Sequence, residues 1–168
     1  MPQNDRALLR RLKDHGVEFV VIGGVCGVLH GVPLVTFDLD VCCPFSVENL
    51  RRIESAVKDL HPRHRLVASP LPLQLTDELC TRLKNLYLQT DFGKLDCLSE
   101  VAGVGDYPAV WKNSVTCGTD RGVRMLSLEA LIAAKRAAGR ERDLAAVRLL
   151  RAIQEKLGQK DRASKPEL

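Results

Sequence analysis

Asp38 and Asp40 stand two residues apart in Thr36-Phe37-Asp38-Leu39-Asp40. On an extended strand that spacing projects both carboxylates from one face, a few ångströms from each other. Like charges that close raise each other's pKa unless a cation lies between them. A hard divalent cation resolves the repulsion, and Mg²⁺ asks for only two or so protein carboxylates when substrate phosphates complete its shell. Taken alone, the same pair also describes a half-exposed strand whose outer face happens to carry two aspartates, and that alternative stays open.

Two other features bear on the pair. Gly23-Gly24 follows a β-rich run at residues 17–22 and precedes a short helical stretch, so backbone N–H groups there can meet a phosphate. No Gly-Lys-Ser/Thr follows, which excludes a P-loop, and the spacing Gly-x-Gly-x-x-Gly of a dinucleotide site is absent. Asp96 lies inside Leu95-Asp96-Cys97-Leu98, an otherwise buried strand pattern in which a lone carboxylate is costly. Three carboxylates on neighbouring strands beside a phosphate-holding turn suit metal-assisted phosphoryl or nucleotidyl transfer.

The elements that must position these groups are partly legible. A helix is expected from a cap at Asn4 or Asp5, with Leu8, Leu9 and Leu12 inward and Gly16 ending it. Residues 35–42 alternate as a strand, and Ser46 caps a helix reaching about residue 60 with Leu50, Ile53, Val57 and Leu60 on one face. A strand is expected at residues 65–68 and a brief helix at 76–83. Residues 86–90 and 94–98 read as strands joined at Phe92-Gly93, and residues 123–126 as a further strand. Residues 101–113 are ambiguous. Ser127 caps a helix closed by Gly139, and residues 141–157 form another stopped by Gly158. The expected organisation is one domain over residues 1–158 and a flexible tail over 159–168.

Composition narrows the class. The chain has 168 residues, 45% hydrophobic and 27% charged, which suits one soluble domain. Aromatics are only 4%, so the core is aliphatic and rows of stacking rings for single-stranded nucleic acid are disfavoured. A net charge of +4 permits an anionic ligand without requiring one. The six cysteines show no zinc spacing and sit in apolar runs, as buried thiols do. With no signal-peptide pattern, the expected compartment is the reducing cytoplasm. Residues 19–37 carry no Asp, Glu, Lys or Arg, but Gly24, His30 and Pro33 break the run, so no membrane span is expected.

Four blocks in order carry a resemblance. Ile22-Gly23-Gly24, His30-Gly31-Val32-Pro33 and Thr36-x-Asp38-x-Asp40 together resemble the opening of the DNA-polymerase-β-like nucleotidyltransferase superfamily. More narrowly they resemble the small bacterial proteins related to the AbiEii toxin and the minimal nucleotidyltransferases. Thr90-Asp91-Phe92-Gly93-Lys94-Leu95-Asp96 is similar to that family's strand with the third aspartate. Leu126-Ser127-Leu128-Glu129-x-Leu131-Ile132-x-x-Lys135, then Arg140-Glu141-Arg142-Asp143-Leu144, is similar to its C-terminal helical motif. The match spans residues 18–150.

The resemblance implies an α+β fold, a mixed β-sheet flanked by helices with C-terminal helices. It makes Asp38, Asp40 and Asp96 the catalytic and metal-holding residues, with Mg²⁺ as cofactor and Mn²⁺ as its substitute. Asp96 would also help deprotonate an acceptor hydroxyl, which attacks the α-phosphorus of an NTP and expels pyrophosphate. Gly23, Gly24, Thr36 and Lys135 would bind the nucleotide, although Lys135 and Asp143 also fit exposed charges on an amphipathic helix. The implied activity is transfer of an NMP to a hydroxyl of tRNA or another RNA, a protein or a small molecule. A toxin–antitoxin setting, with a cognate antitoxin or regulator as partner, goes with it. The chain departs from the family before the Thr-x-Asp-x-Asp run, where relatives commonly carry an arginine and this chain reads Pro33-Leu34-Val35, and at Phe37, where they often carry a small, polar or basic residue. Leu34, with the expectation of no second domain to recruit substrate, motivates the alternative of a catalytically weak or inactive binding or regulatory module on the same fold. An aminoglycoside-type resistance enzyme is a third option, for which the chain is short.

Overall fold

The computed structural model describes residues 3–67, 71–118 and 122–163. The chain runs through α1 (Asp5–Asp14), β1 (Val20–Val21), α2 (Gly23–Leu29), β2 (Leu39–Cys42), α3 (Val47–Val57) and β3 (Arg63–His64). It continues through α4 (Asp77–Arg82), β4 (Asn85–Thr90), β5 (Gly93–Leu98), β6 (Glu100–Val101), β7 (Gly105–Asp106) and α5 (Tyr107–Lys112). It closes with β8 (Ser114–Thr116), β9 (Arg124–Leu126), α6 (Leu128–Ala138) and α7 (Glu141–Ala163).

Seven strands form one mixed sheet in the order β3-β4-β5-β2-β1-β9-β8, and β6 pairs with β7 separately. β2 is parallel to β5 and antiparallel to β1, which in turn is parallel to β9. Leu39 and Val41 of β2 lie opposite Leu95 and Cys97 of β5, which lie opposite Leu88 and Leu86 of β4. All six are buried and join Leu8, Leu12, Leu50, Ile53 and Val57 of α1 and α3 in one core. The period of two then turns Asp40, Asp96 and Tyr87 to the other face. On that side α2 packs on α6, and α6 on α7. The α+β class with C-terminal helices is therefore as expected, and the six cysteines are buried free thiols.

Helix starts follow local chemistry. Asn4, Ser46, Thr76 and Ser127 each accept a hydrogen bond from the backbone N–H three residues on. α6 ends at Gly139, whose φ of 65° is the left-handed conformation that glycine adopts without a Cβ penalty.

Several expected boundaries move, each for a local reason. The strand foreseen at residues 35–42 starts only at Leu39. Thr36 Oγ1 donates to the Asp38 carbonyl at 2.7 Å, closing a turn that competes with strand pairing. Val35 and Phe37 are consequently 82% and 71% exposed rather than inward. The run at 17–22 enters the sheet only at Val20–Val21, because the Glu18 backbone is bonded to Asn49 instead. The strand expected at 65–68 is found at Arg63–His64, and residue 68 lies outside the described residues. The ambiguous stretch 101–113 holds β7 and α5, the latter capped by Asp106. β8 carried no clear pattern. α7 runs through Gly158 to Ala163, since one glycine costs a helix only about 1 kcal/mol. Residues 164–168 of the expected tail lie outside the described residues. Among the described residues no helix is long and apolar enough to cross a membrane.

Asn49, 1% exposed, ties α3 to the chain entering β1. Its Oδ1 accepts from the Glu18 N–H at 2.8 Å, and its Nδ2 donates to the Glu18 and Pro44 carbonyls at 3.1 and 3.0 Å. Asn49→Ala leaves these groups unpaired and is expected to lower unfolding free energy by about 1–3 kcal/mol. Urea denaturation checks this; an unchanged midpoint would show that the side chain does not hold the two segments together.

Candidate active site

Parallel pairing sets Asp40 of β2 directly opposite Asp96 of β5. Asp38, one residue before β2, completes a group whose carboxylate oxygens lie within 4.8 Å of one another. Asp96 is buried and the other two are half-buried. The Thr36 turn fixes the path by which Asp38 reaches the pair.

The glycine turn stands against these acids. Gly23 has a φ of 65°, and a Cβ there would overlap the Asp40 carboxylate. A Cβ on Gly24 would come within 3.0 Å of Thr36 Cβ. Gly23 therefore needs glycine for conformation and clearance, while a side chain at Gly24 would press on Thr36. The cavity in front holds about 700 Å³ and is lined by Gly23, Gly24, Thr36, Asp38, Asp40, Asp96 and Lys135. All seven sequence-predicted site residues are thus brought to one place.

Lys135 reaches it in company. Its Nζ is 3.1 Å from Asp143 Oδ1, and Arg140 Nε donates to Asp143 Oδ2 at 2.6 Å. Asp143 is buried, which alone would push its carboxyl up, but the two cations outweigh burial and hold it below the usual range. Lys135 is accordingly no exposed helix charge; its side chain is 12% exposed. His30 packs at the end of α2, its Nε2 2.8 Å from the Leu126 carbonyl.

Arg65 was missed. Its guanidinium pairs with Asp96, Nε lying 3.3 Å from Oδ1 while Nη2 bonds Oδ2. The expected strand at 65–68 would have hidden its role; the signal was a basic residue opening a predicted strand. Tyr87, Lys94, Arg140 and Arg142 also line the cavity without having been singled out as binding residues.

Burial pushes the Asp40 carboxyl up to about 7, with Asp38 and Asp96 adding repulsion. Asp96 is also raised by burial, an effect that Arg65 opposes. Oxygen donors alone, three negative charges and mutual repulsion fit a hard divalent cation such as Mg²⁺ or Mn²⁺.

No family model matches the chain, and no curated protein matches it. Solved structures do. TM1012 of Thermotoga maritima, assigned as a nucleotidyltransferase, is similar with a TM-score of 0.50 at 19% identity, over 92% of this chain and 90% of that one. ANT(2'')-Ia in complex with adenylyl-2''-tobramycin gives 0.54 at 15% identity, over 95% and 96%. The solution structure of ANT(2'')-Ia, an antibiotic-resistance factor, gives 0.56 at 14% identity, over 94% and 91%.

A carboxyl titrating higher in the folded than in the unfolded chain contributes stability only while protonated. For Asp40 that contribution is present below about pH 4 and lost as pH rises through about 7. Asp40→Asn is therefore expected to stabilise the metal-free protein more at pH 8 than at pH 5, by on the order of 1–4 kcal/mol. Urea midpoints at the two pH values test it; an equal effect at both would show that Asp40 is under no such pressure. The described chain carries the fold of these nucleotidyltransferase structures, an α+β mixed sheet with flanking and C-terminal helices.

Proposed function

We propose that the protein is a divalent-metal-dependent nucleotidyltransferase that moves an NMP from an NTP to an acceptor hydroxyl. The observation that carries this is the register setting Asp40 beside Asp96, with Asp38 in reach, at the glycine turn. Asp38, Asp40 and Asp96 would hold Mg²⁺, or Mn²⁺ in its place, which when bound screens the triphosphate and polarises the phosphoryl group. Gly23 and Gly24 keep the wall of the cavity low where phosphates must approach. Lys135 and Arg140 add positive potential; both favour the charged form of Asp40. Asp96 takes the proton from the acceptor hydroxyl at a carboxylate oxygen as the oxygen attacks the α-phosphorus and pyrophosphate leaves.

The acceptor follows from charge. Length does not set this chain apart from ANT(2'')-Ia, 96% of which it covers, so the shortness invoked against a small-molecule acceptor has no force. The cavity's acids are Asp38, Asp40, Asp96 and Asp143. Three are committed to the cation and the fourth to Lys135 and Arg140. No carboxylate among the described lining residues remains for a polycationic acceptor, while Arg142 and Lys94 stand in the same wall. An RNA hydroxyl is the acceptor this favours. A single domain over residues 1–158 with a short tail, a cytoplasmic setting, an AbiEii-like lineage and a cognate antitoxin or regulator belong to the same proposal.

A second reading, a fold-retaining binding or regulatory module with little turnover, is favoured by Leu34 in the cavity wall where the family has an arginine. One experiment separates the two. The protein is incubated with each α-labelled NTP, Mg²⁺, and in turn total RNA, protein extract or tobramycin, with Asp38→Ala as control. Label is expected on RNA, reduced roughly hundredfold or more by Asp38→Ala. Equal labelling by both proteins overturns the enzymatic reading, and label on tobramycin or protein instead overturns the choice of acceptor.

A further inference from the structure

Arg65 follows directly on β3, and its backbone N–H donates to the Tyr87 carbonyl at 3.1 Å. That bond fixes its Cα against β4, so only the side chain is free to turn. The guanidinium passes 5.6 Å above the Tyr87 ring and engages both oxygens of Asp96. The pair is largely enclosed, Arg65 being 22% and Asp96 8% exposed at the side chain. Yet an oxygen of this same Asp96 carboxylate lies within 4.8 Å of those of Asp38 and Asp40. A guanidinium held by both oxygens and a divalent cation on the same carboxylate would stand against each other as like charges in a poorly solvated place.

We infer that Arg65 and the cation exchange on Asp96, and that the displaced guanidinium then binds the terminal phosphates of the nucleotide. This deepens the proposed function and rests on its assignment of the three aspartates. The exchange keeps Asp96 neutralised throughout. Lys135 and Arg140 make no such exchange, because no metal-holding group waits to replace either of them on Asp143, and the departure of one would give up half the pairing of a buried carboxylate. Arg65 lines the same cavity as Gly23 and Gly24, and its planar fork suits phosphate as well as carboxylate. Cation and nucleotide binding become positively coupled through one side chain.

The test compares wild type, Arg65→Gln, Arg65→Lys and Asp38→Asn at pH 8. One arm measures Mn²⁺ alone by the loss of its free spin-resonance signal. The other measures Mn²⁺-saturated inorganic triphosphate by calorimetry. Arg65→Gln is expected to bind Mn²⁺ about tenfold tighter and triphosphate about tenfold weaker, with Arg65→Lys between. A merely structural loss weakens both. Arg65→Gln binding Mn²⁺ no tighter than wild type, or triphosphate equally well, overturns the exchange. Should neither wild type nor Arg65→Gln bind Mn²⁺, or both bind it no better than Asp38→Asn does, the metal assignment fails and the exchange with it. Loss of Mn²⁺ binding in Asp38→Asn alone upholds the assignment and leaves Arg65→Gln to decide.

Discussion

Asp40 and Asp96 are neighbours across a pair of parallel strands, and the ladder between β2 and β5 gives them no freedom to part. At separations under 5 Å two full charges repel by roughly 3–4 kcal/mol at an effective dielectric near 20, and Asp38 adds a third charge. Everything around them answers that repulsion. Arg65 neutralises Asp96, while Lys135 and Arg140 supply a more distant positive field. Asp40, which forms no ion pair among the described residues, is pushed up to about 7 by burial and by its acidic neighbours. The hydrophobic face of the sheet enforces the arrangement, because sliding either strand by one residue would turn Leu39, Val41, Leu95 and Cys97 out of the core.

Much of this was legible in the residues. Alternation around Asp40 foretold that it would leave the apolar face, and the caps at Asn4 or Asp5, Ser46 and Ser127 marked three helices because capping is a local event. The glycine turn was legible for the same reason. What sequence did not reveal depends on partners far along the chain. Nothing near Glu18 says that Asn49 will occupy its backbone and shorten β1. Nothing near Arg65 says that Asp96, 31 residues on, will claim it. The exposed Val35 and Phe37 misled because their alternation matches a strand, whereas a side-chain turn at Thr36 governs the backbone there. Lys135 was found through its motif, but its clasp with Asp143 appears only when α6 and α7 fold back on each other.

That clasp gives the C-terminal helices a definite part. Gly139 reverses the chain, and Asp143 gathers Lys135 from one helix and Arg140 from the turn. A buried, doubly paired carboxylate is costly to break and gains little stability over an apolar contact. Its value lies in orientation, since it holds two positive groups at the rim of the acidic cluster where flexible side chains would otherwise spread into solvent.

The site is also drawn from a wide span of chain, from Gly23 to Asp143, with Asp40, Arg65 and Asp96 between. During synthesis the glycine turn and the first two aspartates emerge early, but β5, which must lie beside β2, follows more than fifty residues later. Until then Asp38 and Asp40 face one another without the third carboxylate, and the basic clasp is absent until α7 has begun. A partly made chain thus lacks the assembled acidic cluster by topology, whatever its early segments have already folded.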